Sequence, residues 1–145
     1  MRALVQRVTR ASVAIDGQVV GAIGTGLCVL VGVTHTDDDA SARKLADKVW
    51  GLRVFADASR VMNLPVGEVG GQLLVVSQFT LYADTSRGRR PSWASAAPSE
   101  HAAPLVDRFV AELKARGAIV ATGRFGADMA VELVNDGPVT ILIEA

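Results

Sequence analysis

The chain begins with a β-prone stretch, Arg2 to Val8. Two further β-prone stretches, Ala11 to Ile15 and Gln18 to Ile23, flank the pair Asp16-Gly17. Glycine tolerates positive φ, so that pair marks a two-residue hairpin. Leu27 to Val33 is a nearly continuous apolar run and reads as a strand buried on both faces. Ala42, Leu45, Ala46 and Val49 then recur at helical spacing, with Thr36 and Asp37 ahead of them as capping residues. Leu52 to Phe55 reads as a short strand, and Arg60 to Gly71, with Asn63, Pro65 and three glycines, as a loop.

Leu73 to Phe79 is a second apolar strand, followed by a polar, basic, irregular stretch from Ala83 to Pro98. Leu105, Val106, Phe109, Val110 and Leu113 form the stripe of a second helix, and Gly117 suits its C′ position. Pro104 either sets the start of the regular helix or kinks it. Ala118 to Thr122 is a strand. Met129, Val131 and Leu133 alternate with Ala130 and Glu132 in the next one. Asn135 to Pro138 reads as a turn before a last strand, Val139 to Glu144.

These elements add up to seven or eight strands and two helices in one α+β domain spanning residues 1–145. Most strands follow one another without a helix between them. That favours a mainly antiparallel or mixed sheet, or a barrel-like β core, over a doubly wound parallel sheet.

Composition narrows the picture. At 145 residues the chain suits one domain that buries roughly two-thirds of its unfolded surface. Half the residues are hydrophobic and 21% are charged, which argues against disorder. The formal net charge is zero, so any contact with a polyanion must come from a local basic cluster. The single cysteine, Cys28, lies inside an apolar run with no histidine near it in sequence, and reads as a buried core thiol. There is no apolar stretch approaching ~20 residues and no signal-peptide pattern at the N-terminus; the expected location is cytoplasmic. No Cys/His cluster suggests a metal, and no glycine pattern suggests a nucleotide loop, so neither metal nor cofactor is expected.

Two segments carry candidate chemistry. Ser77-Gln78-Phe79-Thr80-Leu81-Tyr82 puts hydrogen-bonding side chains at the end of an apolar strand, a usual place for function. Its plainer reading is a strand whose hydroxyls satisfy neighbouring backbone groups. Asn135-Asp136-Gly137-Pro138-Val139-Thr140 is a dense turn signal, and its plainer reading is an ordinary hairpin. A Gly-Pro bond can also be cis at modest cost, which would aim the flanking carbonyls where a trans turn could not.

Together these segments resemble the paired signatures of the D-aminoacyl-tRNA deacylase family. MRALVQRV, ASVAIDG, VGAIGTGLCVLVGV, Met62-Asn63, LVVSQFTLYADT, Arg89 to Ser92 and TGRFGADMAVELVNDGPVTI are similar to family blocks in the family's order, over nearly the whole chain. Trp93 departs from the more usual Phe, and Arg90 sits in an unusually arginine-rich run.

The resemblance implies a homodimer with active sites at the subunit interface and hydrolysis of the ester between a D-amino acid and tRNA. It implies a cis Gly137-Pro138 dipeptide that reaches into the partner's pocket as a chirality filter. Ser77, Gln78, Phe79 and Thr80 would line the pocket for the aminoacyl-adenosine end, with Arg7 and Met129 in supporting places. In such a filter two backbone carbonyls would accept hydrogen bonds from the α-ammonium and leave no room for an L side chain. Because a backbone filter ignores side-chain identity, achiral glycine should enter as well.

The hydrolytic group stays open between two candidates. Thr80 is the obvious nucleophile, yet neither segment offers a base except Asp136, and His35 and His101 read as solvated. Alternatively, the ribose hydroxyl next to the ester orients water, and backbone N–H groups near Phe79 and Thr80 form the oxyanion hole. Arg87, Arg89 and Arg90 either grip tRNA phosphates or form a solvated loop. Arg7 either holds a carbonyl of the Gly137-Pro138 turn or makes a surface salt bridge. A noncatalytic nucleic-acid-binding module and a generic small-molecule esterase are the competing functions.

Overall fold

One long strand organises the molecule. In the computed structural model, which describes all 145 residues, β1 (Arg2–Ile15) runs unbroken where the sequence suggested two strands. It turns at Asp16 and Gly17, whose φ values of 50° and 78° suit a tight hairpin, into antiparallel β2 (Gln18–Ile23). β3 (Gly26–Gly32) pairs antiparallel with the first half of β1 and is buried along almost its whole length.

Two crossovers then add parallel strands. The first carries α1 (Asp39–Trp50) and a small hairpin of β4 (Phe55–Ala56) and β5 (Met62–Leu64), and leads to β6 (Gln72–Ser77) beside β3. The second carries a 3₁₀ turn (Phe79–Tyr82) and α2 (Ser99–Ala115), and leads to β7 (Val120–Thr122) beside β6. Finally β8 (Ala130–Glu144) returns antiparallel along β1. The order is β2-β1-β3-β6-β7, with β8 on the free flank of β1.

The sheet curls until β2 and β7 meet. A Cβ on Gly21 would lie 2.7 Å from the Thr122 carbonyl oxygen, so the closure requires glycine there. This is the mixed, barrel-like sheet with two helices that the sequence suggested. Seven residues, Val8, Ala11, Val13, Ile23, Cys28, Leu74 and Val76, fill one face. A larger core lies under the helices around Phe109, Leu45, Leu73 and Leu113, all without solvent exposure. Truncating Phe109 to alanine would cost about 3–5 kcal/mol.

Several local expectations are corrected. The α1 cap is Asp38, not Thr36 or Asp37: its carboxylate accepts from the Ser41 N–H at 2.8 Å. Asp37 is taken instead by a buried ion pair with the Met1 ammonium. The fourth strand lies at Phe55–Ala56 rather than Leu52 to Phe55, and the expected loop after it contains β5. β6 ends at Ser77, two residues before Phe79.

The second helix starts at Ser99 and passes through Pro104. That residue faces solvent, where water can take the backbone carbonyl left without an N–H partner. At the other end Ala118 N–H bonds Leu113 O and Gly117 N–H bonds Lys114 O, with Gly117 at φ 94°. This is the Schellman closure expected of a C′ glycine.

The largest correction concerns Asn135 to Pro138. These residues do not reverse the chain. β8 pairs with β1 on both sides of them, Val8 opposite Asn135 and Gln6 opposite Thr140. The extra residues loop out as an enlarged bulge in one continuous strand.

Candidate active site

The end of β6 and its 3₁₀ turn are clamped from three sides. Gln78 N–H donates to Val31 O at 2.7 Å, so the turn sits over β3. Gly32 makes that approach possible, since a Cβ there would lie 3.1 Å from both Gln78 O and Leu81 Cβ. Arg2 donates to Leu81 O at 3.0 Å and lies 4.5 Å from the Tyr82 ring centroid. Burial, followed by the Asp37 charge, pushes the Tyr82 hydroxyl up to about 12, which keeps it protonated near neutrality.

Beside this turn lies a cavity of about 540 Å³. Ser77, Gln78 and Phe79 form one wall; Trp93 comes from the loop before α2, and Phe125 and Met129 from the segment before β8. Gly123 gives Met129 its place, since a Cβ there would meet the thioether sulfur at 2.5 Å. Phe79 and Trp93 pack edge to face, ring centroids 5.3 Å apart, and remain 56% and 41% exposed.

Thr80 is half-buried on the same turn but does not line the cavity. Its hydroxyl accepts a hydrogen bond from the Gln78 side-chain amide, which is no base. Neither histidine is near it by hydrogen bonding: the His35 ring bonds Ala94 O and the His101 ring bonds Asp37 O, both at 2.9 Å. His101 is thus half-buried and tied to the backbone rather than solvated. The one titratable side chain on the cavity wall is Asp128, which is exposed. The sequence reading did not single it out, nor Phe125: both stand in the block TGRFGADMAVELVNDGPVTI, but only the fold brings them to the end of β6.

Gly137 and Pro138 do not line the cavity of their own chain. They stand exposed on the β8 bulge, joined by a cis peptide bond. Asn135 stitches the bulge closed: its side chain accepts from Val139 N–H and donates to the Thr140 hydroxyl, each at 2.9 Å. Arg7 supports it from β1. Nε lies 3.1 Å from Asp136 O and 3.2 Å from the Asp136 carboxylate, and another guanidinium nitrogen donates to Val54 O. Arg7 thus meets both a carbonyl and a carboxylate, but the carbonyl is that of Asp136 rather than of Gly137 or Pro138, and the ion pair comes from a largely buried guanidinium rather than a surface one.

Arg87, Arg89 and Arg90 sit fully outside, at the tip of a loop closed by paired hydrogen bonds between Asp84 and Ser92 at 2.9 and 2.8 Å. None of the three forms an ion pair within the chain. The Ser86 hydroxyl and N–H hold the Asp84 carboxyl below its usual range at the base of this loop. Cys28 lies in the inner core, and burial pushes its thiol up to about 11. No helix is long and apolar enough to cross a membrane, and no cluster of three or more potential metal ligands exists.

Similarity to known proteins runs along nearly the whole chain. A family model described as D-Tyr-tRNA(Tyr) deacylase matches residues 4–144. A D-aminoacyl-tRNA deacylase of Nocardia farcinica is 62% identical, covering all of both chains. One of a Roseiflexus species is 59% identical over all of this chain and 94% of its own. Among solved structures, one described as c-Myc DNA Unwinding Element Binding Protein superposes with a TM-score of 0.94 at 40% identity, covering 100% of this chain and 99% of that one. The chain belongs to the D-Tyr-tRNA(Tyr) deacylase family.

Proposed function

We propose that the chain binds the aminoacyl-adenosine end of D-aminoacyl-tRNA in the cavity beside Ser77, Gln78 and Phe79 and hydrolyses its ester there, with Gly137 and Pro138 of a second copy as the chirality filter. The coarse part is the activity of its family: the chain is a hydrolase that deacylates D-aminoacyl-tRNA.

The observation that carries the finer reading is the placing of the cavity against the turn after β6. At such a turn the first backbone N–H groups have no partner within it. No side chain caps the turn, and in this reading the Phe79 and Thr80 N–H groups receive the oxyanion. Water adds to the ester carbonyl, the charge on oxygen is held by these donors, and the ribose oxygen leaves with a proton. The ribose hydroxyl beside the ester orients that water. This suits a wall without histidine, and a Thr80 that stands off the wall with its oxygen bonded to the Gln78 amide.

The filter rests on a second copy, since the Gly137-Pro138 tip is absent from its own chain's cavity. The free flank of β8 supports such pairing. It is a fifteen-residue strand bonded on one side only, with Val131, Val134 and Leu142 exposed. A filter made of backbone admits glycine, so glycyl-tRNA is a second substrate.

The experiment is paired deacylation of D- and L-aminoacyl-tRNA carrying the same side chain, with sedimentation at the same concentration. Rapid D, negligible L turnover and a dimer are expected. Equal rates on both enantiomers, or an active monomer, would overturn the reading. Turnover of simple esters without RNA would favour a generic esterase.

A further inference from the structure

We propose that Trp93 is a stacking platform for a nucleobase of the unpaired acceptor end of tRNA, held against the indole face at the cavity mouth. The inference rests on the cavity being the aminoacyl-adenosine site.

Four observations converge. First, Trp93 lines the cavity yet stays 41% exposed. Folding ordinarily buries so large an apolar ring, and one left half in solvent at the rim of a cleft marks a contact surface. Second, its neighbour is the edge-on Phe79 ring at 5.3 Å and 70°, an arrangement that braces the indole without stacking upon it.

Third, the backbone around Trp93 is fixed. Ser92 pairs with Asp84 on one side. On the other, Ala94 O receives the His35 ring, Ser95 O receives the Thr34 hydroxyl at 2.6 Å, and Ala97 N–H bonds Val33 O at 3.0 Å. A platform held this way needs little ordering when a base arrives. Fourth, the loop closed at Ser92 carries Arg87, Arg89 and Arg90, all exposed and unpaired. An aromatic surface adjoining free cations is the combination that binds single-stranded nucleic acid. The rings take the bases whatever their identity, and the cations take the backbone. A peptide partner would use the aromatic ring but leave three adjacent arginines without matching charge.

Hydrolysis needs the ester carbonyl at the turn after β6, so the base at the rim acts as an anchor. Its contribution belongs in KM, with little in kcat.

The test uses full-length enzyme and D-aminoacyl-tRNA. Trp93→Leu keeps an apolar side chain and removes the π face, while Trp93→Phe keeps a smaller one. Trp93→Leu is expected to raise KM about tenfold, with Trp93→Phe recovering most of the loss. The chain has two tryptophans, so in a Trp50→Phe background only Trp93 emits. Its fluorescence should be quenched on titration with uncharged tRNA, and quenched less by tRNA lacking its unpaired 3′ nucleotides.

Unchanged KM in Trp93→Leu, or Trp93 emission unmoved by saturating tRNA, would overturn the proposal. Quenching of equal size by the truncated tRNA would also overturn it and give Trp93 to the duplex stem. These outcomes are separable from failure of the active-site reading, which would appear as loss of D-selective hydrolysis in the enzyme with Trp93 intact.

Discussion

Arg7 and Asp136 are joined twice, through the Asp136 carbonyl at 3.1 Å and its carboxylate at 3.2 Å, both from the same guanidinium Nε. The rest of the fork reaches Val54 O, and the side chain is only 14% exposed. One residue of β1 therefore ties the β8 bulge to the segment leading into β4. A lysine ammonium is a point charge and cannot span these acceptors in a plane. Arg7→Lys is expected to keep the fold and lower the ratio of D to L deacylation, whereas Arg7→Ala leaves partly buried acceptors unpaired and destabilises by about 1–3 kcal/mol. Thermal unfolding alongside the two-enantiomer assay checks this. A fully selective Arg7→Lys would separate Arg7 from the filter.

Gly137 has no room for a side chain. Its φ is +129°, and a Cβ would lie 2.9 Å from an Arg7 guanidinium nitrogen and 2.9 Å from a Val139 methyl. Gly137→Ala must shift the bulge or push Arg7 away. D-aminoacyl-tRNA turnover should fall by more than about tenfold, because roughly ångström-scale misplacement near reacting groups can cost about a hundredfold. Single-turnover rates decide the matter, and an unimpaired variant would show that the bulge does not touch substrate.

How far these features were legible depends on whether the deciding interaction was local. Asp16-Gly17 was legible because its positive φ values are a property of the two residues themselves. Asn135 to Pro138 was misread because turn-forming residues serve a bulge as well as a hairpin. Only the register with β1, more than 120 residues away, separates the two. Thr36, Asp37 and Asp38 offer nearly the same capping chemistry; the Met1 ammonium claims Asp37 and leaves the cap to Asp38. The end of the strand at Ser77 was legible from its apolar run, whereas Phe125 and Asp128, 46 or more residues further on, stand in a quoted block whose sequence alone does not say that it folds back against that strand end.

The arginine loop yields an ionic-strength test. Replacing Arg87, Arg89 or Arg90 singly by glutamine should weaken tRNA binding and reduce the slope of log affinity against log salt by about one charge. The D to L ratio should not move, since phosphate contacts carry no information about the stereocentre. Binding isotherms at several salt concentrations measure it. A triple variant with wild-type affinity and slope would return the loop to solvent.

Cys28 makes the protein's alkaline stability predictable. Burial raises its thiol from 9.0 to about 11, so the folded state holds a proton that the unfolded state has lost between those values. Its contribution is fully present below pH 9 and disappears as pH rises towards 11, by at most about 3 kcal/mol. Urea midpoints from pH 8 to 11 should decline more steeply in wild type than in Cys28→Ala, which starts lower but has no thiol to ionise. The native thiol should also resist alkylation at pH 8, and fast labelling there would contradict its burial.

Thr80 and Asp128 are the two side chains to set against the substrate's own hydroxyl as the hydrolytic group. Thr80 has a hydroxyl, but its only side-chain partner is the Gln78 amide, and an amide cannot remove a proton. Asp128 is the one titratable group on the cavity wall, yet it is exposed and no side-chain hydrogen bond orients it. If ribose hydroxyl and backbone donors do the work, Thr80→Ala and Asp128→Asn should each slow single-turnover deacylation by no more than about tenfold, or ~1.4 kcal/mol. A nucleophilic Thr80 would cost several orders of magnitude and form an acyl-enzyme that can be trapped in the wild type. A basic Asp128 would show the same scale of loss without the covalent species. A third arm removes the substrate's own group. Replacing the ribose hydroxyl beside the ester by hydrogen should slow the unaltered enzyme far more than either mutation. Full activity on that deoxy substrate, together with collapse in either variant, would hand catalysis back to the protein side chain.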